Sequence, residues 1–224
     1  MSTPPSGQRK GGRGLTAALL LCLLLGLVGI VGTVVSLTRS PSGPTTATAV
    51  DMRGNRVTLD PGLVPVPPSK SRAIDSGQGR LIVPSVGLNV PLGALDEVDG
   101  EITPPGFTSA YLVRNLGTTI GKASSGTVYL VTHSLRGGAI GPGNYLIDVD
   151  RGTGSLAPGA IVEVSGLRYA ITQSQSITKA QLPHAKTIWA NTPGRLVLIT
   201  CLQRSEGGPS IDNMVFTGTL LPTK

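Results

Sequence analysis

The chain has 224 residues, 39% of them apolar and only 3% aromatic, with 31 Gly and 18 Pro. That leaves room for one ordinary domain plus attachments, built from short strands and many turns rather than long packed helices. The net charge of +7 comes from scattered basic residues with no interleaved aromatic platform. This argues against nucleic-acid binding and leaves a basic surface that is either solvated or turned toward an anionic envelope.

The first feature along the chain is Leu15–Leu37, a run without a charged residue. As a helix it is long enough to cross the roughly 30 Å hydrocarbon core of a bilayer. Arg9, Lys10 and Arg13 precede it, while only Arg39 follows closely. That asymmetry predicts a cytoplasmic N-terminus at 1–14, a single transmembrane anchor at 15–37 and an extracellular remainder. A cleaved signal peptide would carry a shorter apolar region, about 7–15 residues, and then a small-residue cleavage site. The length favours an uncleaved anchor.

From 38 to 79 the composition changes. Segments such as Ser40-Pro41-Ser42-Gly43-Pro44 and Val64-Pro65-Val66-Pro67-Pro68 read as a Pro/Ser/Thr/Gly-rich stalk, too polar to bury enough surface to offset ordering. The folded domain is expected over 80–224. There Leu81–Val83, Thr127–Val131, Tyr145–Val149, Ile161–Val164, Leu167–Ile171, Leu196–Ile199 and Met214–Phe216 are short β-branched runs between Gly/Pro turns. They predict an all-β barrel or sandwich. Ser165-Gly166 predicts a hairpin turn, and Lys179–Ala190 a short helix or long loop that Pro183 keeps from being one continuous helix.

Cys22 lies inside the apolar run and Cys201 stands alone in the rest of the chain. No disulfide between soluble segments is available, and no Cys/His set has metal-ligand spacing. A lone thiol in an extracytoplasmic domain invites oxidation and needs a reason to be there. A cysteine attacks as its thiolate, so a catalytic one needs a base or cation nearby. The two histidines are His133 and His184. His184, beside Pro183 in a polar segment, reads as a surface residue. Leu130-Val131-Thr132-His133 and Leu198-Ile199-Thr200-Cys201 each end an apolar run, which sets both residues at strand ends. On residue types alone Cys201 reads as a small core hydrophobe more readily than as a nucleophile, and His133 as a loop residue.

These segments carry a resemblance. Leu198-Ile199-Thr200-Cys201 resembles the Leu-x-Thr-Cys active-site strand of the sortases. Leu130-Val131-Thr132-His133-Ser134 is similar to the strand that delivers the sortase histidine, with Thr132 where many members have Gly. Arg80 to Leu92 resembles the first-strand segment, and Tyr145 to Val164 the strand–turn–strand after the histidine. The resemblance covers about residues 80–220 and is nearest to the actinobacterial class F group. It implies a sortase-like eight-stranded β-barrel with short helices and loops, and a cysteine transpeptidase with Cys201 as nucleophile and His133 as its acid/base partner. The implied substrates are secreted proteins bearing a C-terminal sorting signal like Leu-Pro-x-Thr-Gly. The implied acceptor is an amine on a cell-wall precursor or pilin, and no cofactor or metal is required.

One element departs from the family pattern. The arginine expected just before an Asp-Asn run is replaced by Ile211, ahead of Asp212-Asn213-Met214-Val215. Arg204, three residues after Cys201, stands either as its replacement in the catalytic set or as a solvated loop residue. Two further readings therefore stay open: a sortase-like module that binds envelope peptides without turnover, and a hydrolase that uses the same pair with water. Trp189 reads as a plug at the barrel edge or as part of a substrate-cleft wall.

Overall fold

The computed structural model describes residues 49–57 and 68–222. The expected transmembrane anchor at 15–37 lies outside the described residues; among those described, no helix is long and apolar enough to cross a membrane.

Among the described residues ten strands follow in order: β1 (Arg80–Val83), β2 (Leu88–Leu95), β3 (Ala110–Val113), β4 (Thr127–Thr132), β5 (Ile147–Asp148), β6 (Thr153–Gly154), β7 (Ile161–Val164), β8 (Leu167–Thr178), β9 (Arg195–Leu202) and β10 (Asp212–Leu220). Eight of them close a barrel in the order β1-β2-β3-β4-β9-β10-β8-β7, with β7 hydrogen-bonded back to β1; β5 and β6 form a separate two-stranded ribbon. The eight-stranded all-β expectation holds. Two neighbouring pairs, β2–β3 and β4–β9, are parallel and the rest antiparallel. A parallel pair needs a long crossover. Between β4 and β9 that crossover carries the β5–β6 ribbon, the β7–β8 hairpin, a 3-10 turn at Leu182–His184 and the short helix α1 (Lys186–Trp189). Pro183 sits in the first turn of the 3-10 element, where its missing N–H is tolerated, and Ala185 (φ −78°, ψ 80°) leaves helical geometry before α1 begins. The predicted hairpin turn closes β7 on β8, with Val164 opposite Leu167 and both turn residues, Ser165 and Gly166, at positive φ. That matches the mirror-image turn that two-residue hairpins favour.

Alternation along the strands sorts side chains into two layers. Val128 and Leu130 of β4, Leu196 and Leu198 of β9, and Met214 and Phe216 of β10 fill the barrel interior with Leu81, Val90, Leu92, Tyr169 and Ile171. Tyr129 and Val131, Val197 and Ile199, and Val215 face the other way and are covered by Ile188 and Trp189 of α1. Strands buried on both faces read as unbroken apolar runs, which is why Leu196–Ile199 shows no period of two.

The stretch expected to be a stalk is partly folded onto the barrel. Asp51 is buried, and its carboxylate accepts the amides of Arg53 (2.9 Å), Asn55 (2.8 Å) and Ile140 (3.1 Å). Burial alone would raise this carboxyl, but those donors together hold it below the usual aspartate value. Farther on, Ile74 bridges to Ala94, Asp75 accepts the Tyr111 hydroxyl at 2.6 Å, and Arg72 pairs with the buried Asp96, which Arg114 also contacts at 2.9 Å. Composition read these residues as tether because their contacts come from single polar side chains rather than from an apolar run.

Candidate active site

The parallel pairing of β4 with β9 runs from Thr127↔Arg195 to Val131↔Ile199. Carried two residues further, the same offset sets His133 beside Cys201 at the ends of adjacent strands, which run about 4.8 Å apart. Residues two apart on a strand share a face, so both side chains project from the outer layer that holds Val131 and Ile199. On the far side of Cys201, Asn213 of β10 is its direct antiparallel partner. One row across three strands therefore reads His133, Cys201, Asn213. All three line a cleft of about 960 Å³ whose walls also include Phe107, Leu182, Trp189 and Ile199. Trp189 accordingly both packs on Tyr129, ring centroids 5.4 Å apart, and forms cleft wall.

Local hydrogen bonds fix the two strand ends together. The Ser134 hydroxyl donates to the Cys201 carbonyl at 2.6 Å, and the Gln203 side-chain amide donates to the Ser134 carbonyl at 2.9 Å and to its hydroxyl at 3.0 Å. The amide of Gly143 donates to the His133 carbonyl at 2.7 Å. Asn144 clamps the same loop by accepting from Leu135 and Gly141 and donating to the Leu135 carbonyl. The approach at Gly143 requires glycine, since a Cβ there would sit 1.9 Å from Thr200 Oγ1 and 2.8 Å from the His133 carbonyl oxygen. Gly143→Ala is therefore expected to push the His133 strand end away from β9. The cost should be about 1–3 kcal/mol, the usual range for overpacking, and thermal denaturation beside wild type measures it. An unchanged midpoint would contradict this close approach.

The His133 ring lies against Phe107, centroids 4.7 Å apart, and its Nε2 is 2.9 Å from the Pro104 carbonyl. A carbonyl only accepts, so the neutral ring carries its proton on Nε2 and keeps the Nδ1 lone pair free as the basic site. Burial lowers the imidazole below its ordinary value of 6.5 and the Lys179 charge acts in the same direction, while the Pro104 carbonyl partly offsets them. His133 is thus neutral at pH 7. Cys201 is a free, half-buried thiol. Among the described residues no three His, Cys, Asp or Glu side chains cluster as metal ligands would.

The structure brings Cys201 and His133 together but does not bring Arg204 to the cleft wall. The Arg204 guanidinium is taken up by Glu206, with Nε donating to the carboxylate at 2.7 Å. Glu206 lies only two residues on and pairs with the guanidinium at the surface. Ile211 is 58% exposed and also lies outside the wall. His184 is exposed at the surface, as expected. Sequence reading missed Asn213, the Phe107–Pro104 cradle of His133, and the contribution of Arg56 and Val57 to the cleft. Strand alternation back from Val215 would have set Asn213 on the outer face. Its pairing with Cys201 needed the register.

No protein-family model matches the chain, and no curated protein does. Among solved structures it is similar to sortase A of Listeria monocytogenes, at 18% identity over 66% of this chain and 89% of that one, with a TM-score of 0.45. Sortase C-1 of Actinomyces oris is similar at 18% identity over 64% of this chain and 73% of that one, TM-score 0.46. A lid mutant of sortase A from Corynebacterium diphtheriae is similar at 11% identity over 70% of this chain and 75% of that one, TM-score 0.47. Likeness at this level assigns no residue its role.

Proposed function

We propose that this chain is a cysteine transpeptidase of the sortase type, nearest to class F, tethered to the outer face of the cell membrane by Leu15–Leu37. The observation that carries the proposal is the row formed by a free thiol and a neutral imidazole at adjacent parallel strand ends in one cleft wall. The Leu-Ile-Thr-Cys and Leu-Val-Thr-His motifs support it from sequence.

In the reaction the Cys201 thiol passes its proton to Nδ1 of His133 as sulfur attacks the carbonyl carbon of the scissile Thr–Gly-type bond. The carbonyl π pair moves onto oxygen. Collapse of that tetrahedral species breaks the C–N bond, and the departing amine takes the proton held by His133, leaving an acyl-thioester on Cys201. An incoming amine on an envelope acceptor then attacks the thioester and gives its proton to His133. The C–S bond breaks, and the sulfur recovers that proton. The thiol is regenerated and a new amide has formed.

The test is product analysis. The full chain in detergent is incubated with a set of Leu-Pro-x-Thr-Gly peptides, with and without triglycine. The account predicts an amide product carrying triglycine. Hydrolysed acid alone, at any amine concentration, would identify the hydrolase reading instead. Retention of uncleaved peptide would identify the binding module, which Ile211 at the expected arginine position favours. Because Arg204 is engaged by Glu206 outside the cleft wall, Arg204→Ala is expected to leave turnover within about twofold, as for surface substitutions generally. A loss of 100-fold would restore Arg204 to the catalytic set.

A further inference from the structure

The tetrahedral species needs a donor for its oxygen, and neither Ile211 nor Arg204 reaches the cleft wall to supply one. Asn213 does. It is the direct cross-strand partner of Cys201, on the side opposite His133, and directly opposed Cβ atoms lie about 4.5–5.5 Å apart. It lines the cleft and is only 9% exposed. Among the described residues its side-chain amide has no hydrogen-bond partner, whereas Gln203 next to the same row gives its amide protons to Ser134. The carboxamide atoms of Asn213 are open to the cleft rather than sealed in the interior, so a ligand oxygen arriving beside Cys201 can meet Nδ2 without displacing another partner. An Asn reaches about two bonds beyond Cβ, so its Nδ2 and the cysteine sulfur can close on one carbonyl group from neighbouring strands.

We infer that the Asn213 carboxamide is the oxyanion donor of this site, taking the role that the sortase resemblance gives to an arginine expected two residues earlier, at Ile211. The inference rests on the acyl-thioester reading above. Cys201 is thereby flanked by its base, just past the end of β4, and by its oxyanion donor on β10, whose pairing with Cys201 is set by strand register. Arg56 and Arg136 also line the cleft, but they come from the 49–57 segment and the loop after His133, not from the row that holds the thiol.

The experiment compares two reactions of the same thiol in the full chain. Acylation by the Leu-Pro-x-Thr-Gly peptide set passes through an oxyanion. Alkylation by iodoacetamide is a displacement at carbon and forms none. Asn213→Leu keeps the side-chain size without a donor, and Asn213→Ala serves as a second variant should the first fail to fold. Both are expected to lower the maximal acylation rate about 100–1,000-fold, the usual loss for one oxyanion donor. KM should move less than about threefold, and the Cys201 alkylation rate should stay within about twofold. Parallel losses in acylation and alkylation would overturn the inference, because Asn213 would then be shaping the thiol itself. Unchanged acylation in either folded variant would overturn it too, as would an equal loss in Arg56→Ala or Arg136→Ala but none at Asn213. If wild type is alkylated at Cys201 yet is acylated by no peptide, the transpeptidase reading fails first and takes this one with it. That outcome differs from loss confined to the Asn213 variants.

Discussion

Cys201→Ala is expected to abolish acyl-enzyme formation and peptide cleavage completely, with the thermal midpoint moved by less than a few degrees. Cys201 is the free thiol among the described residues, and Cys22 belongs to the N-terminal run read from sequence as the anchor, so among the described residues no second thiol can take the acyl group. The side chain is half-buried at a strand end, and removing one sulfur there leaves little cavity. Cleavage assays on the purified full chain, run beside thermal unfolding, check both halves. Residual cleavage at the wild-type rate would remove Cys201 from the mechanism, and a large fall in the midpoint would mean that the thiol serves packing instead.

His133→Gln is expected to lower acylation about 100–10,000-fold, the range for loss of a positioned acid/base. It should also change the pH dependence of both activity and stability. In the fold the ring stays neutral below 6.5 because burial and Lys179 disfavour its charged form. The unfolded chain protonates this histidine at its ordinary value. Between the depressed folded value and 6.5 the unfolded state therefore binds more protons, and stability falls as pH drops through that window. Above 6.5 this contribution is fully present. Glutamine has no such proton, so the variant should lose that part of the acid-side slope. Denaturant titrations of wild type and variant across pH 4–8 measure it. For activity, the wild-type acid limb should lie below 6.5, since the base form persists to lower pH. An acid limb above 6.5, or identical stability slopes in the two proteins, would contradict a neutral His133.

Much of this architecture was legible in the chain. The β-branched runs at Thr127–Val131, Ile161–Val164, Leu167–Ile171 and Leu196–Ile199 became barrel strands, and Ser165-Gly166 became the turn between two of them. Local pattern carries such elements, because strand burial and turn conformation depend on neighbouring residues. The two-layer burial of β4 and β9 was visible only as runs without alternation. Their parallel pairing was not visible, and neither was the antiparallel register that seats Asn213 against Cys201, since both are non-local. The folded parts of 38–79 were missed for a related reason. Asp51, Arg72 and Asp75 hold their segments by reaching polar partners far along the chain: Ile140, Asp96 and Tyr111. Arg204 was the opposite case, where a partner two residues away, Glu206, decided its placement and went unweighed.

The wall of the cleft built by Arg56 and Val57 gives the segment after the apolar run a part in the site. Asp51 sets that segment through its hold on Ile140, next to the loop that leaves His133. Residues 56 and 57, within the 38–79 stretch read from sequence as a stalk, therefore form part of the cleft wall.

The most direct measurement is intact-mass analysis of the full chain quenched in acid during incubation with the Leu-Pro-x-Thr-Gly peptide set, followed by peptide mapping. The account predicts an adduct equal to the acyl half of the peptide. It should be carried on Cys201, be removed by hydroxylamine, and be absent from Cys201→Ala. An adduct mapped to any other residue, or cleavage of the peptide with no acyl-enzyme on Cys201 while the thiol remains alkylatable, would contradict it.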